Sequence, residues 1–344
     1  MSKIFINHSF KCLEISILPN LHNDDDIPRD IINFVCSDID SISTRRLLNQ
    51  IATTIVSNNL FTSSGMSIGS NDNNTGGLIP INSKLYSNGS NTSDYPKIET
   101  IKNLLEIKLK IDDVNDSIFK NDDDADDGSA EKLMTGHFRF HLPSIMPPQI
   151  FILIKSPILN EYDISKKLLL LFHGNSKFLP VFTSHIEENF NCTITNVIPN
   201  NNTLQSCLNW CVINEKLNSI GNIELWFGKL QTKGKLGTIV ITIEEKDILM
   251  FRDIYMMTKV KGNKDDDDDT NLSVLLYEYL ESKTKISFDK LILVKLKCQL
   301  FTIAVDGKVK FTSSMSHLGK KSKESKRDNR LTIWWIIRRL FFVN

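Results

Sequence analysis

The amino-acid sequence predicts an α+β protein interrupted by disordered low-complexity insertions, and three observations support this class. Several segments alternate apolar and polar residues with the period of two that half-buried strands show. Two other segments, 204–212 and 272–280, repeat apolar residues at the spacing of an amphipathic helix. The remaining polar residues are concentrated in blocks. With 344 residues, 41% of them hydrophobic, the chain can form one large domain padded with insertions.

The first third of the chain is predicted to hold two strands, one helix and an insertion. Residues 1–61 are an N-terminal part of the fold, with a strand over 4–18 and an amphipathic helix over Thr44–Ser57. Residues 62–97 are rich in Ser, Asn and Gly and show no apolar period, which is typical of a disordered insertion. Residues 98–111 return to apolar alternation and are predicted to be a strand.

The middle of the chain begins with a second insertion and continues into the main domain. Residues 112–131 are predicted to be an acidic insertion, because they carry eight Asp. Residues 132–315 are predicted to be the main α+β domain, which opens with strands over 137–142, 151–155 and 167–173. The last of these strands is nearly all Leu, so we expect it to be buried on both faces.

The second half of the main domain mixes strands with helices. Strands are predicted over 223–227, 238–243, 290–298 and 300–304, and an acidic loop is predicted over 261–270. The helices present apolar stripes formed by Leu204, Cys207, Leu208, Cys211 and Val212, by Ile248, Phe251 and Tyr255, and by Leu272, Leu275, Leu276, Tyr279 and Leu280.

The last strands of this domain form a hairpin whose register can be argued from the residues. A two-residue turn would pair Ile303 with Lys310 and mix apolar and basic side chains on each face. A three-residue turn, Val305–Gly307, with Gly in the left-handed third position, pairs Ile303 with Val309 instead. This register is preferred because it places four apolar side chains on one face: Phe301, Ile303, Val309 and Phe311.

Charge is balanced overall but unevenly distributed. The 41 Lys and Arg equal the 41 Asp and Glu, so net charge gives no long-range attraction to nucleic acid. A tail over 316–344 is basic, and its apolar end, 331–343, is too short to span a membrane. The six cysteines are scattered at apolar-pattern positions, which is typical of core residues in a reducing compartment. Because the chain does not open with a secretory signal pattern, we expect a soluble intracellular protein.

No pattern makes a positive case for catalysis, a metal site or a cofactor. Gly65–Gly69 matches the nucleophile-elbow string but lies in the low-complexity insertion, without the required strand and helix. His137 and His141 have the spacing of a zinc-binding helix, but the Phe pattern around them predicts a strand. Cys207 and Cys211 lie on an apolar helix stripe and are expected in the core. An acidic run that imitates an EF-hand loop lacks the Gly at its sixth position and the Glu at its twelfth.

Several short motifs occur in order between Lys167 and Phe311. They are Leu179-Pro180-Val181-Phe182 at an apolar strand end, Phe190-Asn191-Cys192 entering a strand, the helix Leu204–Val212 with Trp210, Glu224-Leu225-Trp226-Phe227, Ile239–Ile243 running into Glu244-Glu245, and Asp306-Gly307-Lys308-Val309-Lys310-Phe311. In this order and spacing they resemble centromere protein L, a family of non-catalytic subunits of the constitutive inner kinetochore.

The resemblance implies a strongly curved, mostly antiparallel sheet with helices packed on it, and no cofactor. It also implies a nuclear protein of the centromere and kinetochore that forms an obligate heterodimer with centromere protein N and joins other inner-kinetochore subunits on centromeric chromatin. An open hairpin edge would add a partner strand through Phe301, Ile303, Val309 and Phe311. The family's basic groove implies DNA contact by Lys295, Lys297, Lys308 and Lys310, for which a solvated strand face is the alternative.

Two further functional hypotheses remain open from the sequence. The chain could be an independent nucleic-acid-binding module that uses the basic strand faces and the basic tail. An enzyme is the weaker hypothesis, since only the Gly65–Gly69 string favours it. The tail over 316–344 departs from the family pattern, and three interpretations apply to it: a basic segment that touches phosphates, an interfacial helix, or the product of a wrong exon boundary.

Overall fold

The computed structural model shows an α+β protein, which confirms the predicted class. It describes residues 5–17, 27–58, 60, 98–115, 132–143, 146–155, 167–213, 221–228, 237–261, 272–288, 290–312, 333, 336 and 337. The predicted insertion over 62–97 lies outside these residues, as do 116–131 of the acidic insertion and 262–270 of the acidic loop. In the described part of the chain, no helix is long and apolar enough to cross a membrane.

The described residues form seven helices and eleven strands. The helices are α1 (Ile27–Cys36), α2 (Ile42–Ser57), α3 (Ile98–Leu104), α4 (Phe178–Phe190), α5 (Asn201–Ile213), α6 (Glu245–Lys261) and α7 (Leu272–Thr284). The strands are β1 (Ser9–Ile17), β2 (Glu106–Asn115), β3 (Lys132–Leu142), β4 (Met146–Lys155), β5 (Lys167–His173), β6 (Cys192–Asn196), β7 (Ile223–Gly228), β8 (Ile239–Ile243), β9 (Ile292–Lys297), β10 (Phe301–Ala304) and β11 (Lys308–Phe311).

The chain divides into two compact units, and the predicted main domain over 132–315 contributes to both. The N-terminal unit is Leu13–Thr195, and the C-terminal unit is Asn196–Asn344 together with Met1–Cys12. The division falls inside β1, where the alternation of buried side chains changes phase. Phe10 and Cys12 are buried before the division, and Leu13 and Ile15 are buried after it. A single strand therefore supplies core residues from opposite faces, which its sequence alternation alone does not reveal.

The N-terminal unit is a sheet covered on one face by helices. Its strand order is β2-β3-β4-β5-β1, with antiparallel pairing from β2 through β5, and β6 pairs with β1 outside this order. Aromatic rings fill the core, and the ring centroids of Phe151 and Phe182 are 3.9 Å apart. Leu168 to Leu171 of β5 are all buried, which confirms that this strand is covered on both faces.

In this unit some local predictions differ from the structure, and one helix was not predicted. Residues 98–111 are not one strand, because Ile98–Leu104 forms α3, with Ile101 in the core, and the strand begins only at β2. Strand β2 also continues to Asn115, so the first four residues of the predicted acidic insertion over 112–131 are paired with β3. Leu179–Phe182 is the start of α4 instead of a strand end, because Pro180 lies in the first turn, where a helix does not need its N–H. Helix α1 was not predicted, although its buried residues are spaced as a helical stripe.

The named elements of the C-terminal unit in the described residues are an antiparallel sheet and three helices. Its strand order is β1-β11-β10-β9-β7-β8. The predicted stripe of α5 is fully buried, and most of the α7 stripe is buried too, so both helix predictions are confirmed. All six cysteines of the chain are buried free thiols, as expected for core residues. In the tail, the three described residues, Ile333, Ile336 and Ile337, are buried at helical spacing.

Candidate partner and nucleic-acid surfaces

The C-terminal hairpin has the register that the sequence predicts. β10 and β11 pair Phe301 with Phe311 and Ile303 with Val309. The three-residue turn closes with a hydrogen bond, 3.0 Å long, from the Gly307 N–H to the Ala304 carbonyl. Gly307 has φ +77°, the left-handed conformation that glycine adopts without a steric penalty.

The expectation that this hairpin is an open edge is wrong. β11 pairs with β1, so that Phe10 lies opposite Val309, and β10 pairs with β9. Both outer sides of the hairpin are therefore occupied by strands of the same chain. The sequence could not reveal this, because the partner strand β1 lies about 300 residues away in the chain.

The four apolar residues proposed for partner binding form part of the core of the C-terminal unit. Phe301, Ile303, Val309 and Phe311 are at most 2% exposed. The ring of Phe311 meets the ring of Phe5 edge-on at a centroid distance of 6.1 Å. In this chain the four side chains stabilise the sheet, and they do not present a surface to a partner.

The open edge of this unit is β8, at the end of the described strand order. Strand β8 has the sequence Ile-Val-Ile-Thr-Ile, and Val240 is 46% exposed. Helix α6 follows directly and carries four exposed apolar side chains: Leu249, Met250, Ile254 and Met257. An edge strand without charge can accept a strand from another protein, and exposed apolar side chains on a helix can pack against an apolar partner surface.

The four predicted lysines lie on one face of the C-terminal sheet. Lys297 and Lys310 both stand opposite Thr302, while Lys295 stands opposite Ala304. Lys308 shares the face of Lys310, because alternate residues of a strand point the same way. We call this surface the basic face; its residues are Ser9, Lys11, Glu224, Trp226, Val240, Thr242, Lys295, Lys297, Thr302, Ala304, Lys308 and Lys310. All of them are exposed or half-buried.

Two of these lysines are held by carboxylates on the same face. The ammonium of Lys297 lies 2.6 Å from Glu224 Oε1, and the pKa of Glu224 is lowered mainly by this hydrogen bond. The ammonium of Lys308 lies 2.6 Å from Asp306 Oδ2, which raises the pKa of Lys308. Both pairs are largely exposed, so each contributes little to stability. Their consequence is local, because they reduce the positive charge that these two lysines offer to a ligand.

The remaining lysines of the face are placed differently. The ammonium of Lys295 lies 4.0 Å from the centre of the Trp226 ring, a cation–π contact. Within the described residues, Lys310 and Lys11 make no ion pair. Lys11 stands directly opposite Lys308 across β1 and β11. The positive charge available to a ligand is therefore greatest on the β11 and β1 side.

Three charged or aromatic residues of the basic face, Lys11, Glu224 and Trp226, were not predicted as site residues. Lys11 belongs to β1, and only the long-range pairing with β11 brings it here. Glu224 and Trp226 alternate along β7 as Lys295 and Lys297 do along β9, but the register of the two strands was needed to place them together. The alternation of side chains along each strand indicated that Glu224 and Trp226 share a face, as Lys295 and Lys297 do. Nothing in the sequence indicated that Lys11 lies near them.

The other candidate residues do not form a metal site or a catalytic site in the described part of the chain. His137 and His141 lie in β3, where four residues span about 13 Å, which is too far for one metal ion. Their assignment to a strand is confirmed. Cys207 and Cys211 are buried in the apolar stripe of α5. Gly65–Gly69 lies outside the described residues. Within those residues, no cluster of three metal-ligating side chains forms.

A basic face and an open edge strand are features of proteins that act through contacts with other macromolecules. The model of the centromere protein L family matches residues 168–341, just over half of the 344-residue chain. The chain belongs to the centromere protein L family. The comparison with curated proteins gave no match. The protein is thus a kinetochore protein of the centromere, from a family of structural, non-enzymatic proteins of the inner-kinetochore complex.

Proposed function

We propose that this chain is a nuclear, non-catalytic subunit that pairs with centromere protein N and links centromeric chromatin to the kinetochore during chromosome segregation. The family match carries this proposal, because it spans every strand of the C-terminal sheet except β1. The same segment holds the open edge and four lysines of the basic face. Other inner-kinetochore subunits would join through the heterodimer.

The partner contact is proposed at β8 and α6, since the hairpin is enclosed by its own sheet. Backbone N–H and C=O groups on the outer side of an edge strand can pair with a strand from another protein. The exposed apolar side chains of α6, Ile254 and Met257 among them, would offer the partner a second, apolar contact. Phe301 and Ile303 contribute indirectly, by holding the sheet that carries this edge.

Co-purification tests the pairing. The tagged chain is purified together with its centromere protein N homologue at about 0.3 M salt, where exposed charge pairs are screened and apolar interfaces persist. We expect a stoichiometric complex on size exclusion. Recovery of the chain alone, or only with nucleic acid that washes away, would refute the heterodimer.

A matched pair of variants tests the position of the contact. Val240→Lys places a charged residue on the edge strand, as natural edge strands do to prevent pairing. Val240→Thr keeps the β-branched shape and is the control. We expect the first variant to lose the complex and the second to keep it. If both keep it, the contact lies elsewhere, while the heterodimer itself remains supported.

The second candidate is an independent nucleic-acid-binding module, which the basic face favours. Deleting 318–344 would confound a test, because Ile333, Ile336 and Ile337 are buried. Replacing the six Lys and Arg between 320 and 330 by Gln removes the charge and leaves the apolar end intact. An independent module that depends on the tail would lose most DNA binding in this variant. A heterodimer subunit would keep its pairing with centromere protein N.

A further inference from the structure

In the N-terminal unit, the side of β2 and β3 that is turned away from the helices is crowded with ionisable side chains. Phe138 packs against Phe182 of α4 at a ring-centroid distance of 5.6 Å, so its chain neighbours His137 and Arg139 lie on the other side of the sheet. The pairing of β2 with β3 places eight residues there, which we call the β2–β3 face: Glu106, Lys108, Lys110, Asp112, Thr135, His137, Arg139 and His141. All of them except Thr135 are ionisable, so apolar packing does not explain this face.

The carboxylates lie at the two ends of the face, and both have partners there. The ammonium of Lys110 lies 2.6 Å from Asp112 Oδ1. At the other end, Nε2 of His141 lies 3.3 Å from Glu106 Oε2. The charges that are not matched within the face are therefore those at its centre, between these two pairs.

Lys108 and Arg139 form this centre. They stand directly opposite each other, an arrangement in which like charges repel and destabilise a sheet. Neither makes an ion pair within the described residues, and Arg139 Nε is buried without a hydrogen-bond partner. Protection of the sheet edge explains a lysine on β2, but it does not explain an arginine on β3, which has a strand on each side. An anion between the two side chains would account for both.

His137 adds an unused hydrogen-bond donor beside this centre. It lies two residues from Arg139 on β3 and is 5% exposed, and neither of its ring nitrogens has a hydrogen-bond partner in the described part of the chain. Asp112 Oδ2 lies 3.8 Å from Nε2, which is too far for a hydrogen bond. A neutral imidazole still carries one N–H. Buried polar groups rarely stay unpaired, so this donor indicates a ligand with acceptor atoms.

The charges and their spacing indicate which anion fits. Two unpaired cations with Cβ atoms about 5 Å apart match a phosphorylated side chain, which carries close to two negative charges at pH 7. Arginine binds phosphate through two parallel N–H groups, and lysine adds a point charge. A nucleic-acid backbone fits less well, because its next phosphates would meet Glu106, about 7 Å along β2 from Lys108, and Asp112, equally far beyond Lys110.

We propose that the β2–β3 face binds a single phosphoserine or phosphothreonine of a partner protein, with Lys108 and Arg139 holding the phosphate and His137 donating a hydrogen bond to it. β2 ends the strand order of its unit, so the partner segment can continue past this edge on both sides of the phosphate. The site lies outside residues 168–341 and shares no residue with the proposed contact to centromere protein N. It adds a second contact, which depends on phosphorylation of the partner.

Peptide binding to the full-length chain tests this site. The probe is a labelled degenerate peptide library with one central phosphoserine, compared by fluorescence anisotropy with the same library carrying serine. We expect only the phosphorylated library to bind. Lys108→Gln and Arg139→Gln should each weaken binding at least about tenfold, because each removes a charge-assisted hydrogen bond. Lys102→Gln removes one charge from α3 of the same unit, and as the matched control it should bind as the wild type does.

Two further measurements separate binding from a structural role. Arg139→Lys keeps the charge but loses the planar fork, so it should bind several-fold more weakly than the wild type. Lys108→Gln removes the repulsion between the two strands, so the Tm of the free chain should stay unchanged or rise while binding is lost. A lower Tm of Lys108→Gln with intact peptide binding would show a structural role and overturn the site.

The remaining outcomes concern the ligand. Equal binding of the two libraries, or an equal loss of binding in Lys102→Gln, would overturn the site. Competition by single-stranded DNA as strong as that by the phosphorylated library would overturn the choice of a phosphorylated side chain. Competition by inorganic phosphate at the same concentration as the peptides would overturn the partner segment in favour of free phosphate. Co-purification with centromere protein N tests the proposed function separately, because these variants leave β8 and α6 unchanged.

Discussion

Among the described glycines of the C-terminal unit, Gly307 is the one where an added methyl group should disturb the backbone most. Its φ of +77° lies in the left-handed region. A Cβ at Gly307 would overlap the carbonyl oxygen of Val197 and come within 3.5 Å of the carbonyl oxygen of Cys12. The Gly307 carbonyl also accepts a hydrogen bond from the Cys12 N–H at 2.9 Å. The turn is therefore locked against two backbone segments at once.

The cost of Gly307→Ala follows from these contacts. A non-glycine residue in the left-handed region costs about 1–2 kcal/mol. The overlap with Val197 must be relieved by backbone movement, which weakens the hydrogen bonds from the N–H groups of Cys12 and Val197. Each of these bonds contributes about 0.5–1.5 kcal/mol net. The expected destabilisation is about 2–4 kcal/mol.

Urea unfolding followed by tryptophan fluorescence measures this loss of stability in the C-terminal unit. All four tryptophans belong to the C-terminal unit: Trp210, Trp226, Trp334 and Trp335. With a slope of about 2 kcal/mol per molar urea, the midpoint should fall by about 1–2 M. Gly237→Ala is the matched control, because a Cβ there meets no atom within 4 Å. We expect it to be neutral or slightly stabilising.

Gly307→Asn separates the two causes. Asn tolerates the left-handed region but still carries the Cβ that meets Val197. We expect it to recover only about 1 kcal/mol of the loss. Wild-type stability in Gly307→Asn, or a loss below about 0.5 kcal/mol in Gly307→Ala, would show that the close approach is not as described.

Three further predictions concern buried side chains. Burial lowers the pKa of His137 from 6.5 to about 4 despite Asp112 nearby. The free energy of unfolding should therefore fall by up to about 3 kcal/mol as the pH decreases from 6.5 to 4. Circular dichroism melts should show this loss, and His137→Leu should make the stability less dependent on pH. Phe151→Ala removes the ring stacked on Phe182 and should cost about 3–5 kcal/mol in the same melts, whereas a loss under 1 kcal/mol would contradict this packing. Phe311→Ala should lower the urea midpoint of the free chain, and selective loss of partner binding at full stability would contradict its place in the core.

Local patterns in the sequence predicted the parts of the fold that local physics determines. The hairpin register was predicted from which side chains share a face and from one glycine, Gly307, and the structure has this register. The stripe from Leu204 to Val212 defined α5 because five apolar residues at helical spacing leave few alternatives. By contrast, α3 was read as a strand, because a helix of seven residues is too short to show a helical period.

Long-range pairing determined what the sequence could not predict. The alternation of side chains along a strand predicted that Lys295 and Lys297 share a face, and that Lys308 and Lys310 do. Only the register of β9 and β11 with β10 shows that both pairs lie on the same face of the sheet. Lys11 joins them through a partner strand about 300 residues away. The same pairing encloses the hairpin and moves the open edge to β8. The sequence therefore identified the four lysines, but it did not predict which residues surround them.

The two outermost strands show why a partner contact at β8 is the better proposal. β2 ends the sheet order of the N-terminal unit, and it carries Glu106, Lys108 and Lys110 at exposed positions. Charges at alternate positions are a common protection against edge-to-edge association. β8 ends the order of the C-terminal unit, and its described residues include exposed Val240 and half-buried Ile241 but no charged side chain. A chain that protects one edge and leaves the other apolar is best explained if the apolar edge is covered by a partner.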